Sequence, residues 1–344
     1  MKDTIYDHYI AIDWSIKNMA IARMTKKSNK ITAIDVPSDI EDLQAYLTNL
    51  RGTKIVAIEE TTTSQWLYTE LKDYVDRIFI CDPNRNKLLN EGPKTDKIDA
   101  SKLVQLLKAG LMKEVYHSTD TFVYLRRVVS GYEDLVKAGV RLKNQRSALL
   151  RACGKQDNKK AGSCSIDSQG EQFVLDCLYR QIEAYEDEKE GYEHEFERLA
   201  RKNPAIKHQK SLPGIGTINA VKIVARVVTP HRFPDKGCYL SYTGLIKLEK
   251  TSGGRSYGKR SPRYSRQLKS VYKSGVLAAI GGTNPINDYY EYLIQKKGYP
   301  EHNARHKACR RLAILSLGVF KSGRKYQPYR SNYVKNNNEG TSGL

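Results

Sequence analysis

The chain has 344 residues, 58 of them Lys or Arg against 38 Asp or Glu, for a formal net charge of +20. Hydrophobic residues make up 40%, enough for two or three modest domains with real cores, and no apolar run reaches the length of a membrane span. A positive excess of this size favours a polyanionic partner, because Lys and Arg displace counterions condensed on phosphates. No basic amphipathic anchor stands out, so nucleic acid is preferred to a membrane surface.

The first residues, MKDTIYDHYIAIDW, alternate polar and apolar positions and lack the long apolar stretch of a secretory signal; a cytoplasmic location is expected. Residues 8–24 then read as a strand ending near Asp13, a short turn and a second strand. KIVAIE at 54–59 and RIFIC at 77–81 are two more compact apolar runs, the second followed by the Asp82-Pro83-Asn84 turn signal. Helical stretches fall at 39–50 and 64–75. Strands alternating with helices predict an α/β domain with a mixed sheet over 1–115.

From about 120 the pattern becomes helical. Val128, Tyr132, Leu135, Leu142 and Leu149 fit a heptad seam that Gly139 and Arg146 interrupt. A second helix over 171–200 repeats the seam with Leu178, Ile182, Tyr185, Tyr192, Phe196 and Leu199. Two long helices joined by a polar linker, 154–170, predict an antiparallel hairpin or a coiled-coil dimer arm within 116–204. The second helix carries eight acids between Glu183 and Glu197, read as a solvated acidic face. Residues 205–328 form a third, mainly helical unit, and 329–344 a disordered tail. The six cysteines, Cys81, Cys153, Cys164, Cys177, Cys238 and Cys309, form no CxxC pair; zinc and disulfides are not expected, and the thiols are read as mostly buried.

Four acids stand where a metal site needs them. Asp13 and Glu59 end or interrupt predicted strands, and carboxylates at strand ends can converge at one sheet edge. Asp96 and Asp99, three apart in KTDKIDASKL, point the same way on a helix. Taken singly each acid has an ordinary structural role, and periodicity does not separate Glu59 from Glu60. Packed together, four carboxylates repel one another, and Mg²⁺, or alternatively Mn²⁺, relieves that repulsion with oxygen ligands while activating phosphoryl transfer.

The C-terminal part carries the nucleic-acid features. In SLPGIGTINAVKIVAR, Gly214 and Gly216 before a helix resemble a helix-hairpin-helix turn, whose amides approach a phosphate; a tight turn between helices is the plain alternative. After Glu249 the stretch through Lys269 holds no acid, and Arg255, Lys259, Arg260, Arg263, Arg266 and Lys269 form a dense basic patch with Tyr257 and Tyr264 interleaved, a pattern suited to phosphate contact and base stacking. Lys137 and Arg141 on the first long helix are further expected contacts. Ser252 precedes Gly253-Gly254 on what reads as a mobile loop. Nearby arginines are suited to stabilising a phosphoryl transition state.

These pieces together (YIAIDWS, VAIEETTTSQW, PKTDKIDASKLVQLL, SLPGIGTINAVKIVA, RFPDKGCYLSYTGLIKLEKTSGGRSYGKR and ARHKACRRLAILSLGVFKSGRKYQP) resemble the IS110 family of insertion-sequence transposases, which includes the Piv-type invertases. The resemblance implies an α/β plus α chain: an N-terminal RuvC-like (RNase H-like) domain with a four-acid DEDD site, a coiled-coil linker and a C-terminal transposase domain. It places the acids on Asp13, Glu59, Asp96 and Asp99 and a catalytic serine on Ser252, which would attack the phosphodiester and hold the cut DNA as a phosphoserine link. Thr251 stands where the family has a first serine, and Thr62 and Ser261-Pro262 also depart from its pattern. The resemblance further implies donor and target DNA, a structured non-coding bridge RNA that pairs with both, and a homo-oligomer, dimer to tetramer, with composite sites. Two other readings compete: a purely hydrolytic RuvC-like nuclease or junction resolvase, in which Ser252 is ordinary, and a non-catalytic nucleic-acid-binding protein.

Overall fold

The computed structural model describes residues 5–82, 95–112, 114, 121–156 and 165–328, and the chain divides into two compact units, Met1–Val123 and Tyr124–Leu344. Residues 157–164 of the linker expected at 154–170 and the tail at 329–344 lie outside the described residues, as does Cys164. Among the described residues no helix is long and apolar enough to cross a membrane.

The first unit is built on one sheet with strand order β3-β2-β1-β4-β5. β1 (His8–Trp14), β2 (Asn18–Thr25) and β3 (Ser28–Pro37) form an antiparallel meander. β4 (Lys54–Glu59) and β5 (Arg77–Cys81) run parallel to β1, reached through α1 (Ile40–Asn49) and α2 (Ser64–Leu71), since parallel neighbours need a crossover. α2 stops four residues short of the expected end. β3 was not expected from the sequence. It is an edge strand, mostly exposed, and has no apolar run to mark it.

Strand side chains alternate between faces, and the two faces of this sheet differ in bulk. Ile10, Ile12, Met19, Ile21, Val56, Ile58, Ile78 and Ile80 pack with Leu43 and Leu47 of α1 and Leu67 and Leu71 of α2. The opposite face offers Ala11, Ala20, Ala22 and Ala57, against which α3 (Asp96–Lys108) sets Ala100, Leu103, Val104 and Leu107. Lys108 anchors the far end of α3 by donating to the carbonyls of Thr25 and Ser28.

The second unit opens with α4 (Thr121–Ala152), most of which lies in it, and α5 (Gln169–Lys202). Their partners run in opposite directions: Tyr132 meets Tyr192 and Phe196, Arg146 covers Tyr179, and Leu150 clusters with Leu175. The pair is therefore an antiparallel hairpin within one chain. The expected α4 seam is displaced by about one residue. Leu125, Val129, Tyr132 and Leu150 are buried, whereas Val128, Leu135, Leu142 and Leu149 are only half-buried. Gly139 and Arg146 belong to the seam instead of interrupting it. A Cβ on Gly139 would stand 2.3 Å from the Tyr185 ring, so glycine there makes room for an aromatic side chain from α5. The acidic face of α5 is largely paired: Glu186 with Lys143 and Lys189, Glu193 with Lys189, and Glu195 with Arg198.

Among the described residues six further α-helices follow in the unit: α6 (Pro204–Lys210), α7 (Thr217–Val227), α8 (Lys236–Tyr242), α9 (Arg266–Ala279), α10 (Pro285–Gln295) and α11 (Glu301–Ser322). A buried polar chain links four of them. Tyr239 and Tyr272 share a hydrogen bond, Tyr272 donates to Ser316 at 2.8 Å, Ser316 donates to Gln209 at 2.7 Å, and Gln209 donates back to the Ser316 carbonyl at 3.0 Å. Every hydroxyl in this chain is satisfied, as burial demands. Glu133 of α4 accepts from Arg226 of α7 at 2.8 Å and lies 3.8 Å from Lys222, joining the hairpin to the helices. Of the five described cysteines, all reduced, only Cys81 and Cys309 are buried and Cys238 is exposed, so the expectation of mostly buried thiols is corrected.

Candidate functional site

The register of the central strands brings the first two acids together. β1 and β4 are parallel, with Ile10 opposite Val56 and Ile12 opposite Ile58. The next step sets Asp13 level with Glu59, at the carboxyl end of both strands and on the face that Ala11 and Ala57 share. Glu60 is one residue further on and exposed. α3 delivers the other pair. Its buried stripe runs Leu107, Val104, Leu103 and Ala100, and continuing it toward the N-terminus by helical steps of three or four reaches Asp99 and Asp96. The Thr95 side chain caps this end by accepting from the amide of Ile98 at 3.3 Å.

Electrostatics record the convergence. Burial and the charges of Asp96, Glu59 and Asp99 push the Asp13 carboxyl up to about 6. Burial, and then Asp99, also raise Glu59. The donor set is all carboxylate oxygen, which fits a hard divalent ion such as Mg²⁺ or Mn²⁺. Among the described residues, however, no three His, Cys, Asp or Glu side chains stand close enough to hold an ion as they are.

The second cluster lies in the second unit. The expected mobile loop at Ser252 is instead the tip of a β-hairpin, β6 (Leu248–Ser252) paired with β7 (Arg255–Arg260). Gly253 and Gly254 both have positive φ, 54° and 76°, as a tight two-residue hairpin turn requires. Ser252 pairs directly with Arg255, so their side chains lie on one face as cross-strand neighbours. Lys259 and Arg260 are exposed along the same ribbon. The Tyr257 ring is 67% exposed and open to a stacking partner. Tyr264 is not: its ring occupies the space where a Gly244 side chain would be, 2.4 Å from that Cβ position, and lies 4.6 Å from the Lys269 ammonium. The amide of Ser265 donates to the Tyr242 carbonyl at 2.8 Å. Gly244, Tyr264 and this bond close the neck of the hairpin, a role without a sequence signal. Arg263 and Arg266 are exposed beside it.

The glycine turn before α7 is placed differently from expectation. Gly214 has φ of +73°, and a Cβ there would stand 1.9 Å from the Gly275 carbonyl; close packing on α9 accounts for this glycine. Gly216 is exposed at the start of α7, but beside a cleft of about 660 Å³ lined by Glu190, Glu193 and Glu197. Glu197 accepts from the Thr217 hydroxyl at 2.5 Å and pairs with Lys210 at 3.3 Å; these contacts, the Thr217 hydroxyl first, hold its carboxyl below the usual range. The positive end of α7 thus already faces carboxylates, which disfavour a phosphate there. Lys137 is exposed and paired with Asp134 at 2.8 Å, and Arg141 is exposed.

An α/β unit bearing Asp13, Glu59, Asp96 and Asp99 and a helical unit bearing a serine-tipped basic hairpin make a two-part chain. Comparison with known proteins makes this more particular. A family model described as a transposase, the DEDD type of IS110, matches residues 10–154 and spans all four acids. A second, described as the transposase IS116/IS110/IS902 family, matches residues 207–291 and spans the hairpin. The two matched segments of the chain are thus similar to IS110/IS116-type insertion-sequence transposases. It is 23% identical over 156 residues to an uncharacterized 43.6 kDa protein of insertion element IS110 from Streptomyces coelicolor, covering 45% of this chain and 38% of that protein. It is 24% identical over 152 residues to the transposase for insertion sequence element IS1111A from Coxiella burnetii, covering 43% and 40%. A protein of insertion element IS116 from Streptomyces clavuligerus is 26% identical over 122 residues, covering 35% and 30%. The chain thus spans two fifths or less of the length of these relatives.

Proposed function

We propose that this chain is an insertion-sequence transposase, a site-specific recombinase that cuts and exchanges DNA strands under the guidance of a structured non-coding RNA. The observation that carries the proposal is the pairing of Ser252 with Arg255 at the tip of a tightly turned, basic hairpin. The hydroxyl of Ser252 attacks the phosphorus, a P–O bond to Ser252 Oγ forms, and the P–O bond to a sugar oxygen breaks. The serine gives up its proton and the departing oxygen takes one up. Arg255, directly opposite, meets the charge that develops on the phosphoryl oxygens. Resealing reverses the exchange on a new sugar oxygen, so bond energy is conserved and no other reactant is needed.

Asp13, Glu59, Asp96 and Asp99 are proposed to hold Mg²⁺ or Mn²⁺, which supplies Lewis-acid activation of a phosphodiester. The strand order, three antiparallel strands followed by two parallel ones, supports a RuvC-like reading of the unit that bears them. Arg255, Lys259, Arg260, Arg263, Arg266 and Lys269 are proposed contacts to the phosphate backbone. A homo-oligomer is part of the same reading. The test is strand exchange with the associated RNA, donor and target DNA, and Mg²⁺. Asp13→Ala is expected to abolish exchange while RNA binding survives; exchange at the wild-type level would remove the acids from the mechanism.

A further inference from the structure

α9 and α11 lie side by side in parallel. The Cys309 thiol is 3.6 Å from the Tyr272 carbonyl, an offset of 37 positions. Leu312 reaches within 3.1 Å of where a Cβ on Gly275 would stand, at the same offset. That register sets Lys269 beside His306 and, one turn on, Lys273 beside Arg310. The four side chains form a patch across the two helices. Burial and then the charges of Arg310, Lys269, Lys273 and Lys247 hold the His306 imidazole below its usual range, which places Lys247 at the same patch. Lys247, Lys273 and Arg310 are exposed, His306 reaches the surface with its ring partly covered, and Lys269 is half-buried.

None of the five makes an ion pair among the described residues. The contrast with α5 is direct, because there lysines and arginines meet carboxylates along the helix. Concentrated like charge destabilises a compact chain and attracts polyanions. The patch also has a fixed relation to the hairpin. Lys247 immediately precedes β6, and Ser252 ends it, so an extended strand separates them by about 17 Å. That is roughly five base-pair steps of duplex DNA.

We propose that Lys247, Lys269, Lys273, His306 and Arg310 form a clamp on the phosphate backbone of duplex DNA, about five base pairs from the phosphodiester presented to Ser252. The clamp rests on the reading of the hairpin as the element that meets DNA. It acts by neutralising phosphates and fixing the register of the duplex, and carries no base specificity.

The experiment is binding of the full chain to a labelled, mixed-sequence duplex of roughly 30 base pairs, in EDTA, across a salt series. Lys273→Gln combined with Arg310→Gln is expected to flatten the slope of log K against log salt by about 2, and to weaken binding at least ~10-fold near 0.1 M salt. The charge-preserving pair Lys273→Arg with Arg310→Lys is expected to bind as the wild type does. A slope unchanged by the glutamines overturns the clamp, and so does equal weakening by the charge-preserving pair, which would mark a packing effect. A change seen only with an RNA duplex of the same length overturns the assignment to DNA. Because binding is read without divalent ion, absence of strand exchange by the wild type would count against the proposed function and leave the clamp standing.

Discussion

Replacing Asp13 by asparagine is expected to abolish strand exchange and, without divalent ions, to stabilise the N-terminal unit. The carboxyl is pushed from 3.8 up to about 6 by burial and by Asp96, Glu59 and Asp99. A folded value above the unfolded one means that the protonated form suits the fold. The penalty for holding Asp13 charged is therefore absent below about pH 4 and complete above about pH 6. At 1.36 kcal/mol per unit the shift corresponds to ~3 kcal/mol; the side chain is only half-buried, and solvent screening reduces this to about 1–2 kcal/mol. A gain of that size raises the melting temperature by roughly 2–6 °C. Calorimetry of the full chain in EDTA at pH 7.5 measures it, and repeating the scan near pH 4 should erase the difference. Mg²⁺ should then raise the melting temperature of the wild type and leave Asp13→Asn unmoved. A lower melting temperature for Asp13→Asn in EDTA at pH 7.5 would refute the reasoning, because it would mean that the charge is compensated within the protein.

Three predictions concern the second unit. Glu133→Ala strands Arg226 and Lys222, both largely covered, and should cost about 2–3 kcal/mol; Arg226→Gln in the same background should recover part of it in a denaturant titration. Gly139→Ala should destabilise by about 1–3 kcal/mol, since the added methyl meets the Tyr185 ring and overpacking outweighs the gain in helix propensity; Tyr185→Leu should relieve it. Tyr272 is pushed up to about 12 and Tyr239 also upward, both by burial. Neutral tyrosine is therefore favoured in the fold, so stability is full below pH 10 and falls between about pH 10 and 12. Tyr239→Phe should shift the alkaline unfolding midpoint upward.

Much of the N-terminal unit was legible because β1, β4 and β5 are apolar runs with side chains buried on both faces: YIAI, IVAI and IFIC are unmistakable. β3, solvated along most of its length, had no such signal. The acids were legible as residue types at strand ends and on a helix, but that Glu59 stands level with Asp13 emerges from the β1–β4 register, which no local pattern contains. Gly139 looked like a fault in a heptad because the ring that fills its space comes from Tyr185, on the partner helix. The hairpin of Ser252 was read as a loop because both its strands are exposed, so apolar alternation never arises; the Gly253-Gly254 pair was its one usable mark. Gly214 reads equally as a phosphate turn and a packing contact until Gly275 is placed beneath it. The cations of α9 and α11 were scattered over the sequence, and only the parallel packing of the two helices gathers them.

The central claim is that Ser252 is the nucleophile. Its most direct test combines the wild type or Ser252→Ala with the associated RNA, matching end-labelled DNA and Mg²⁺, followed by denaturing electrophoresis and peptide mass spectrometry. The account predicts a denaturation-resistant protein–DNA adduct in the wild type alone, with the phosphoryl group mapped to Ser252. Cleavage without an adduct, equal in both proteins, would contradict it and identify a hydrolytic, metal-dependent nuclease.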